Sequence, residues 1–390
     1  MRFGFYAFLI FVSLGSLRAQ SVELSGNLIE SLDTVHFGRV NFGLFRLVPY
    51  VAPSYSPEVS LMFSGGGLLS FKSQKDDRDL NFSTIPFSVG VSINGSFYFQ
   101  ANHYVYWPND RIRTIGEFHL RQMPDNYFGI GYELGSTIPR SDSTTSYYKN
   151  FWSFNQKILY RIGHHLYTGV VVQLSNTKAT GMNPLMQADP NIMATGSDVY
   201  NAGVGFSIEY DSRDFPQNAY RGAFASGSLV AFGRWLGSDV NYYLADIDLR
   251  RYFMVNRPGN TIAVQTKGVY VFGNDEIPWS ALPVVGGNIG LRGYSLGRFR
   301  DKSLVQAIVE YRSMFKKRSV GLEGHNLSRW GYVLWVGAGS VAPSPLRFNH
   351  WLANAGLGLR FEVSRRMNLR FDYGFAKKEQ NAYITFSESF

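Results

Sequence analysis

The sequence predicts an all-β fold, a transmembrane antiparallel barrel of 16 strands, and three observations predict it. Segments of nine to sixteen residues alternate apolar and polar side chains and follow one another to the end of the chain, the period of two that puts successive side chains on opposite faces of a strand. Beyond the first residues, no window offers the roughly 20 apolar residues that a helical span needs. The composition, with 16% aromatic and 17% charged residues and 40 glycines in 390 positions, suits strands that have one face toward lipid and one toward water.

Taken in order, the strands are 57–72, 81–93, 95–107, 111–122, 127–135, 147–161, 165–176 and 199–211, then 221–235, 239–254, 261–272, 303–315, 331–341, 350–363, 367–376 and 381–390. Turn-rich breaks separate them. Sixteen is an even number, so a single chain closes with both ends on one side. In 303–315, Val305, Ala307, Val309 and Tyr311 form one face, and Gln306, Glu310 and Arg312 the other. In 367–376, Leu369, Phe371, Tyr373 and Phe375 oppose Asn368, Arg370 and Asp372. In 350–363, Ala353, Ala355, Leu357, Leu359 and Phe361 oppose Asn354, Arg360 and Glu362. The apolar faces are assigned to lipid and the charged faces to the lumen. A soluble sandwich alternates too, but with strands of about five or six residues.

Residues 1–19 read as an export signal: Arg2, an apolar run over 3–14, then small residues ending at Ala19, with cleavage before Gln20. Residues 20–48 form a short N-terminal periplasmic or lumenal segment, and 49–390 the barrel. There is no cysteine, hence neither a disulfide framework nor a lipidated cysteine at the new N-terminus. Removing Arg2 and Arg18 leaves 36 basic against 29 acidic side chains, a net charge of +7. That charge belongs to the wet lumen and loops, or meets anionic lipid and lipopolysaccharide.

Catalytic signatures are missing. The sequence has no Gly-x-Ser-x-Gly elbow, no His-Glu-x-x-His helix and no glycine fingerprint at a strand-to-helix crossover. Gly65, Gly66 and Gly67 lie inside an apparent strand and serve curvature. The seven histidines are scattered, with His164 and His165 in a turn. No enzyme activity, cofactor, metal or nucleic-acid partner is expected.

One stretch carries more fixed charge than an ordinary turn. Residues 286–302, GGNIGLRGYSLGRFRDK, hold five glycines and the arginines Arg292, Arg298 and Arg300 between two strands. Its tetrad Leu291, Arg292, Gly293 and Tyr294 resembles the loop-six signature of the BamA/TamA superfamily of outer-membrane assembly and translocation barrels. Two further segments agree. Residues 211–220, DSRDFPQNAY, followed by Arg221 and Gly222, resemble the family's Asp-Thr-Arg-Asp-Asn-Pro turn, with Asn218-Ala219 in place of Asn-Pro. Tyr55-Ser56-Pro57-Glu58 before a glycine-rich strand resembles the barrel start of members that lack POTRA domains, for which the segment before residue 49 is too short.

The resemblance implies a loop between strands 11 and 12 that folds into the lumen, where Arg292 pairs with an inward carboxylate, Glu310 or Asp372. Many relatives carry an inward aspartate in a Phe-x-Asp-x-Gly strand, but here Gly337 stands at that place in Trp335-Val336-Gly337-Ala338-Gly339. Spacing alone favours an exposed arginine on a mobile loop, and the resemblance reverses that preference. Asp211, Arg213 and Asp214 read as a structural turn network. The ending NAYITFSESF puts Ile384, Phe386 and Phe390 on one face of a last strand, with Phe386 and Phe390 as the signal that makes the chain a client of the barrel-assembly machinery. The seam between strands 57–72 and 381–390, weakened by Gly65 to Gly67, is where a client strand would add. Implied partners are outer-membrane lipids and lipopolysaccharide, envelope protein clients and accessory lipoproteins. An accessory structural barrel in an envelope complex, or a passive solute channel, stands as the alternative.

Overall fold

The computed structural model describes residues 40–42, 45–56, 60–74, 80, 82–316, 327–364 and 366–390. The export signal and the assignment of 20–39 lie outside them, as does most of the long connection near 317–326.

A short strand β1 (Val40–Phe42) precedes the first eight long ones: β2 (Phe45–Ser56), β3 (Ser60–Phe71), β4 (Ser83–Ser92), β5 (Phe97–Tyr106), β6 (Ile112–Asn126), β7 (Ser146–Gly163), β8 (Leu166–Thr180) and β9 (Asp198–Asp211). Then come β10 (Gly222–Phe232), β11 (Tyr242–Met254) and β12 (Asn260–Phe272), a small hairpin of β13 (Val284–Val285) with β14 (Phe299–Arg300), and β15 (Ser303–Lys316), β16 (Leu327–Ala342), β17 (Leu352–Ser364), β18 (Met367–Ala376) and β19 (Glu379–Phe386). The sixteen long strands and β1 form one antiparallel sheet, in which each long strand pairs with its neighbour in sequence and β12 pairs with β15. The last strand meets the first through one registered pair among the described residues, Ile384 opposite Tyr55.

The number sixteen survives two errors that cancel. Residues 45–56 form a strand that the sequence reading passed over because Pro49 and Pro53 lack ladder donors. A strand with a full ladder on one side, to β3, and on the other only β1 at residues 45–47 and a single pair to β19 tolerates them, because neither proline faces a ladder there. Conversely, 127–135 is not a strand. Its alternation is broken where Gly129 and Gly131 take φ of +83° and +94°, and the chain turns into helix α1 (Tyr132–Thr137). Tyr127 and Phe128 are buried because they pack on the 273–302 segment, with Tyr127 edge-on to Trp279 at 5.8 Å. Gly65, Gly66 and Gly67 therefore lie in β3, paired on both sides, and not at the seam.

Burial along the strands is inverted relative to a water-soluble protein. In β15 and β16, Glu310, Arg312 and Gln306 are buried while Val309, Leu334 and Val336 are exposed. In β17 and β18, Asn354, Arg360, Arg370 and Asp372 are buried while Leu357, Leu359 and Phe375 are exposed. Water stabilises the opposite arrangement, and a contiguous apolar band of this size marks a surface that meets hydrocarbon. No helix among the described residues is long and apolar enough to cross a membrane.

The 273–302 segment contributes to each of the three apolar clusters among the described residues. Ile277 and Leu282 join the cluster of Val171, Val230 and Tyr242. Trp279 joins Tyr127, Tyr147, Met186 and Ile192, and Val285, Leu291, Tyr294 and Phe299 join Trp335, Val333 and Ile308. Neighbouring connections brace it. Helices α2 (Pro184–Gln187) and α3 (Pro190–Thr195) are capped by Asn183 and Asp189 side chains. Asn191 of α3 donates to the Ile277 carbonyl oxygen at 2.8 Å.

Val336 sits at the middle of β16 and is 60% exposed. Val336→Arg is expected to cost about 2–4 kcal/mol in denaturant unfolding from lipid vesicles, the penalty for a cation near the bilayer midplane. A change within a few tenths of a kcal/mol would place that face in water.

Candidate functional site

The site forms where the tip of the 273–302 segment meets the buried polar faces of β15 to β19. Gly293 has a φ of +115°, a conformation that suits glycine. A Cβ on it would lie 2.9 Å from the Phe375 carbonyl carbon, and one on Gly374 would lie 2.6 Å from the Arg292 carbonyl. Two glycines thus let backbone lie against backbone. Side chains from two strands, β17 and β19, then fasten the tip. Asn354 Nδ2 donates to the Arg292 carbonyl oxygen at 2.7 Å, and Asn381 Nδ2 to that of Gly293 at 2.7 Å. The Gly293 amide donates to Tyr383 Oη, which donates to the Tyr294 carbonyl oxygen, each at 3.3 Å.

With the backbone fixed, the Arg292 side chain is wholly buried. One terminal nitrogen, Nη1, donates to Asp372 Oδ2 at 2.6 Å, and the other, Nη2, to Glu310 Oε1. Its guanidinium lies 3.7 Å from the Trp335 ring centre, so a π face covers the charge. The two carboxylates are shared. Glu310 Oε2 also accepts from Arg312 at 2.8 Å, and Oε1 from the Ser389 hydroxyl at 2.6 Å. Asp372 Oδ1 accepts from Arg360 at 2.6 Å, and Arg370 stands 3.5 Å away. Arg360 Nε donates to Glu388 at 3.0 Å, with Asn368 Nδ2 on the same carboxylate at 2.7 Å. Four arginines and three carboxylates make one connected network, the condition under which buried charge is tolerated.

The rest of the tetrad is buried too. Leu291 is in the apolar cluster, and Tyr294 donates to the Ala353 carbonyl oxygen at 3.1 Å and packs edge-on to Phe299 at 5.6 Å. Arg298 pairs with Glu379 at 3.3 Å and lies over Phe128 at 4.5 Å. Burial lowers its pKa from the ordinary value, and Glu379 opposes that. Arg300 donates to the Trp279 carbonyl oxygen at 3.2 Å.

The second sequence motif lies at the opposite, short-turn end. Arg213 grips Asp211 with two bonds, at 2.8 and 2.9 Å, and stacks 4.4 Å over Phe224. Burial works against this cation, but the Asp211 bonds and charge outweigh it and hold the pKa above the ordinary arginine value. Asp214 Oδ1 accepts from the amides of Tyr220 and Arg221, while Oδ2 pairs with Arg366 at 2.8 Å.

The third motif is placed differently from the sequence reading. The last strand ends at Phe386, so Phe390 does not continue its face. Residues 387–390 turn inward, where Phe390 is buried under Arg312 at 4.9 Å and its carbonyl oxygen accepts from Arg312 at 3.1 Å. Glu388, which a strand continued to Phe390 would put on the same face as Phe386, is instead in the ion network, because Arg360, Arg312 and Asn368 surround it.

Several site residues had no motif to announce them. Arg312, Arg360 and Arg370 were legible only as members of polar strand faces. Asn354 was legible in the same way, whereas Trp335, Gly374, Asn381 and Tyr383 act through cross-strand geometry and carry no local signal. Gly337 faces inward, where a Cβ would lie 2.5 Å from Asn354 Oδ1. Asn354 occupies that space and takes up the Arg292 backbone.

Residues 69–389 match the Omp85 superfamily domain, and the chain belongs to that superfamily. Among solved structures it is similar to BamA from Haemophilus ducreyi lacking POTRA domains 1-3, with 14% identity and a TM-score of 0.56 over 88% of this chain and 70% of that one. It is also similar to CdiB from Acinetobacter baumannii, with 13% identity and a TM-score of 0.50 over 88% of this chain and 59% of that one. At these identities the likeness is one of fold. No curated protein matches the sequence.

Removing Arg292 leaves Glu310 with Arg312, and Asp372 with Arg360 and Arg370. Removing Asp372 leaves Arg370 without a carboxylate within 4 Å among the described residues, and Arg292 and Arg360 each with one fewer. Asp372→Ala is therefore expected to cost about 3–5 kcal/mol in unfolding from vesicles, and Arg292→Met distinctly less. The reverse order would show that the network does not share its charges in this way.

Proposed function

We propose that this chain is an integral barrel of the bacterial outer membrane that helps insert proteins into that membrane or move them across it. The observation that carries the proposal is the seam. Every other pair of neighbouring long strands shares a ladder of six or more registered pairs, whereas β19 and β2 share one among the described residues. Pairing of β9 with β10 and of β19 with β2 completes a circuit of sixteen strands, and we read it as a closed barrel with its charged face toward the lumen. A seam held so weakly leaves backbone donors and acceptors on 48–56, beyond the three residues that β1 pairs, and on Glu379–Phe386 for a client strand, which adds by β-augmentation. Membership of the Omp85 superfamily supports the same reading by analogy of fold.

In this reading the short turns lie in the periplasm and the long connections at 127–145, 181–197 and 273–302 outside. The 273–302 segment enters the lumen, and Arg292 is its lock, with Leu291, Gly293 and Tyr294 shaping the tip. Outer-membrane lipid and lipopolysaccharide surround the apolar band. Phe386 and Phe390 serve as the signal by which the barrel-assembly machinery handles this chain as a client. Accessory lipoproteins and envelope proteins are the partners, and no cofactor or enzymatic step is involved. The braced interior favours a second reading, a barrel locked shut as a structural subunit of an envelope complex.

The two are separated by comparing outer-membrane protein profiles in cells depleted of this chain, in cells restored with it, and in cells carrying Arg292→Ala. Loss of particular barrels or surface proteins on depletion, with recovery by the wild type and not by Arg292→Ala, is the expected result. An unchanged profile in all three would overturn the transport role in favour of the structural subunit.

A further inference from the structure

The 212–221 turn makes contacts that a local turn cannot make. It joins β9 to β10, the eighth and ninth long strands. Yet Gln217 Nε2 donates to Thr84 Oγ1 of β4, the third, at 3.3 Å. Asp214 pairs with Arg366, in the turn between the fourteenth and fifteenth strands, β17 and β18, at 2.8 Å. Arg366 lies 4.0 Å over the Tyr220 ring and 5.4 Å over that of Phe215. In a circuit of sixteen, these partners are five strands away on one side and five or six on the other. A turn rooted at one point of a rim and touching two others so spaced must lie across the opening.

Its interior is built to hold that course. Arg213 is folded back onto Asp211 and onto the Pro216 carbonyl oxygen at 3.0 Å, and Asp214 caps the amides of Tyr220 and Arg221. Asn218, Ala219 and Tyr220 are buried, and Ala219 belongs to the same apolar cluster as Tyr252 and Phe390. Arg366 has a φ of +56°, as the two-residue turn between Ser364 and Met367 requires, and the turn fixes the base of its side chain. Its contacts are on the 212–221 turn.

From this we infer that the 212–221 turn is a plug across the short-turn mouth of the barrel, latched by the Asp214–Arg366 pair and the Gln217–Thr84 bond. The inference rests on the closed-barrel reading given above. The plug bars passage between the lumen and the periplasmic side until Arg366 is released. Opening it needs the loss of one half-buried ion pair, two ring contacts and the Gln217 side-chain bond, together with withdrawal of Ala219 from its apolar cluster, a change that a partner docking at this end can supply.

The absence of native cysteine allows two thiol experiments on the full chain in its membrane. In the first, Thr84→Cys with Gln217→Cys is treated with a short bis-maleimide, and efficient linkage is expected. In the second, Ser207→Cys, on the buried inner face of β9, reports access from the short-turn side to a membrane-impermeant maleimide. Arg366→Ala is expected to raise its rate of modification at least fivefold, with Gln217→Ala giving a smaller rise. The heat-dependent gel shift of a folded barrel is read on every variant. No linkage, or an unchanged rate in variants that retain the shift, overturns the plug. A wild-type chain that shows no shift and does not fractionate with outer membrane overturns the barrel reading itself, and the plug with it.

Discussion

A guanidinium with no access to water must be neutralised and hydrogen-bonded where it stands, and the interior of this protein is arranged around meeting that requirement for Arg292. Two carboxylates from strands distant in sequence converge on it, and Trp335 covers its face. Neither carboxylate is private to it. Each also serves another arginine, so the charge of the segment tip is tied into the sheet wall and through Glu388 and Ser389 to the last residues of the chain. A buried ion pair by itself is weak evidence of net stability. What it specifies here is register: the cation is satisfied in one seating of the tip.

That seating is prepared by residues that carry no charge. Gly293 and Gly374 allow the two backbones to touch, and Asn354, Asn381 and Tyr383 take up the polar groups that the approach would otherwise leave without partners. The apolar side chains of the same segment complete three separate clusters against the inner wall and the neighbouring connections. The segment is therefore both the functional candidate and the core of the fold. Its removal would uncover the arginines and carboxylates of β15 to β18 and take residues from all three apolar clusters.

Much of this was legible in the sequence, and the failures have physical causes. Period two assigned Glu310 and Asp372 to the polar faces of their strands, which are the faces that meet Arg292. It could not say which strands stand beside each other across the lumen, so the sharing of Asp372 among three arginines came only with the structure. Proline hid the first strand, since Pro49 and Pro53 are tolerated only beside a nearly unpaired edge. Alternating aromatics suggested a strand at Tyr127 and Phe128, where they serve as loop core. Continuing the last strand to Phe390 misplaced Glu388, because nothing local marks where a ladder stops and the chain turns inward. The fold class needed only periodicity and length; the site needed contacts between residues as much as 90 positions apart.

The central claim is that Arg292 seats the 286–297 tip in one place, and amide hydrogen exchange of the wild type and Arg292→Gln in lipid vesicles tests it most directly. The account predicts slow exchange at Gly287, Gly293 and Ser295 in the wild type, whose amides bond to Tyr294, Tyr383 and Glu379. In Arg292→Gln these amides should exchange at least tenfold faster, while those in the middle of β15 and β16 are unchanged. Fast exchange at the tip in the wild type, or equal protection in both proteins, would contradict it.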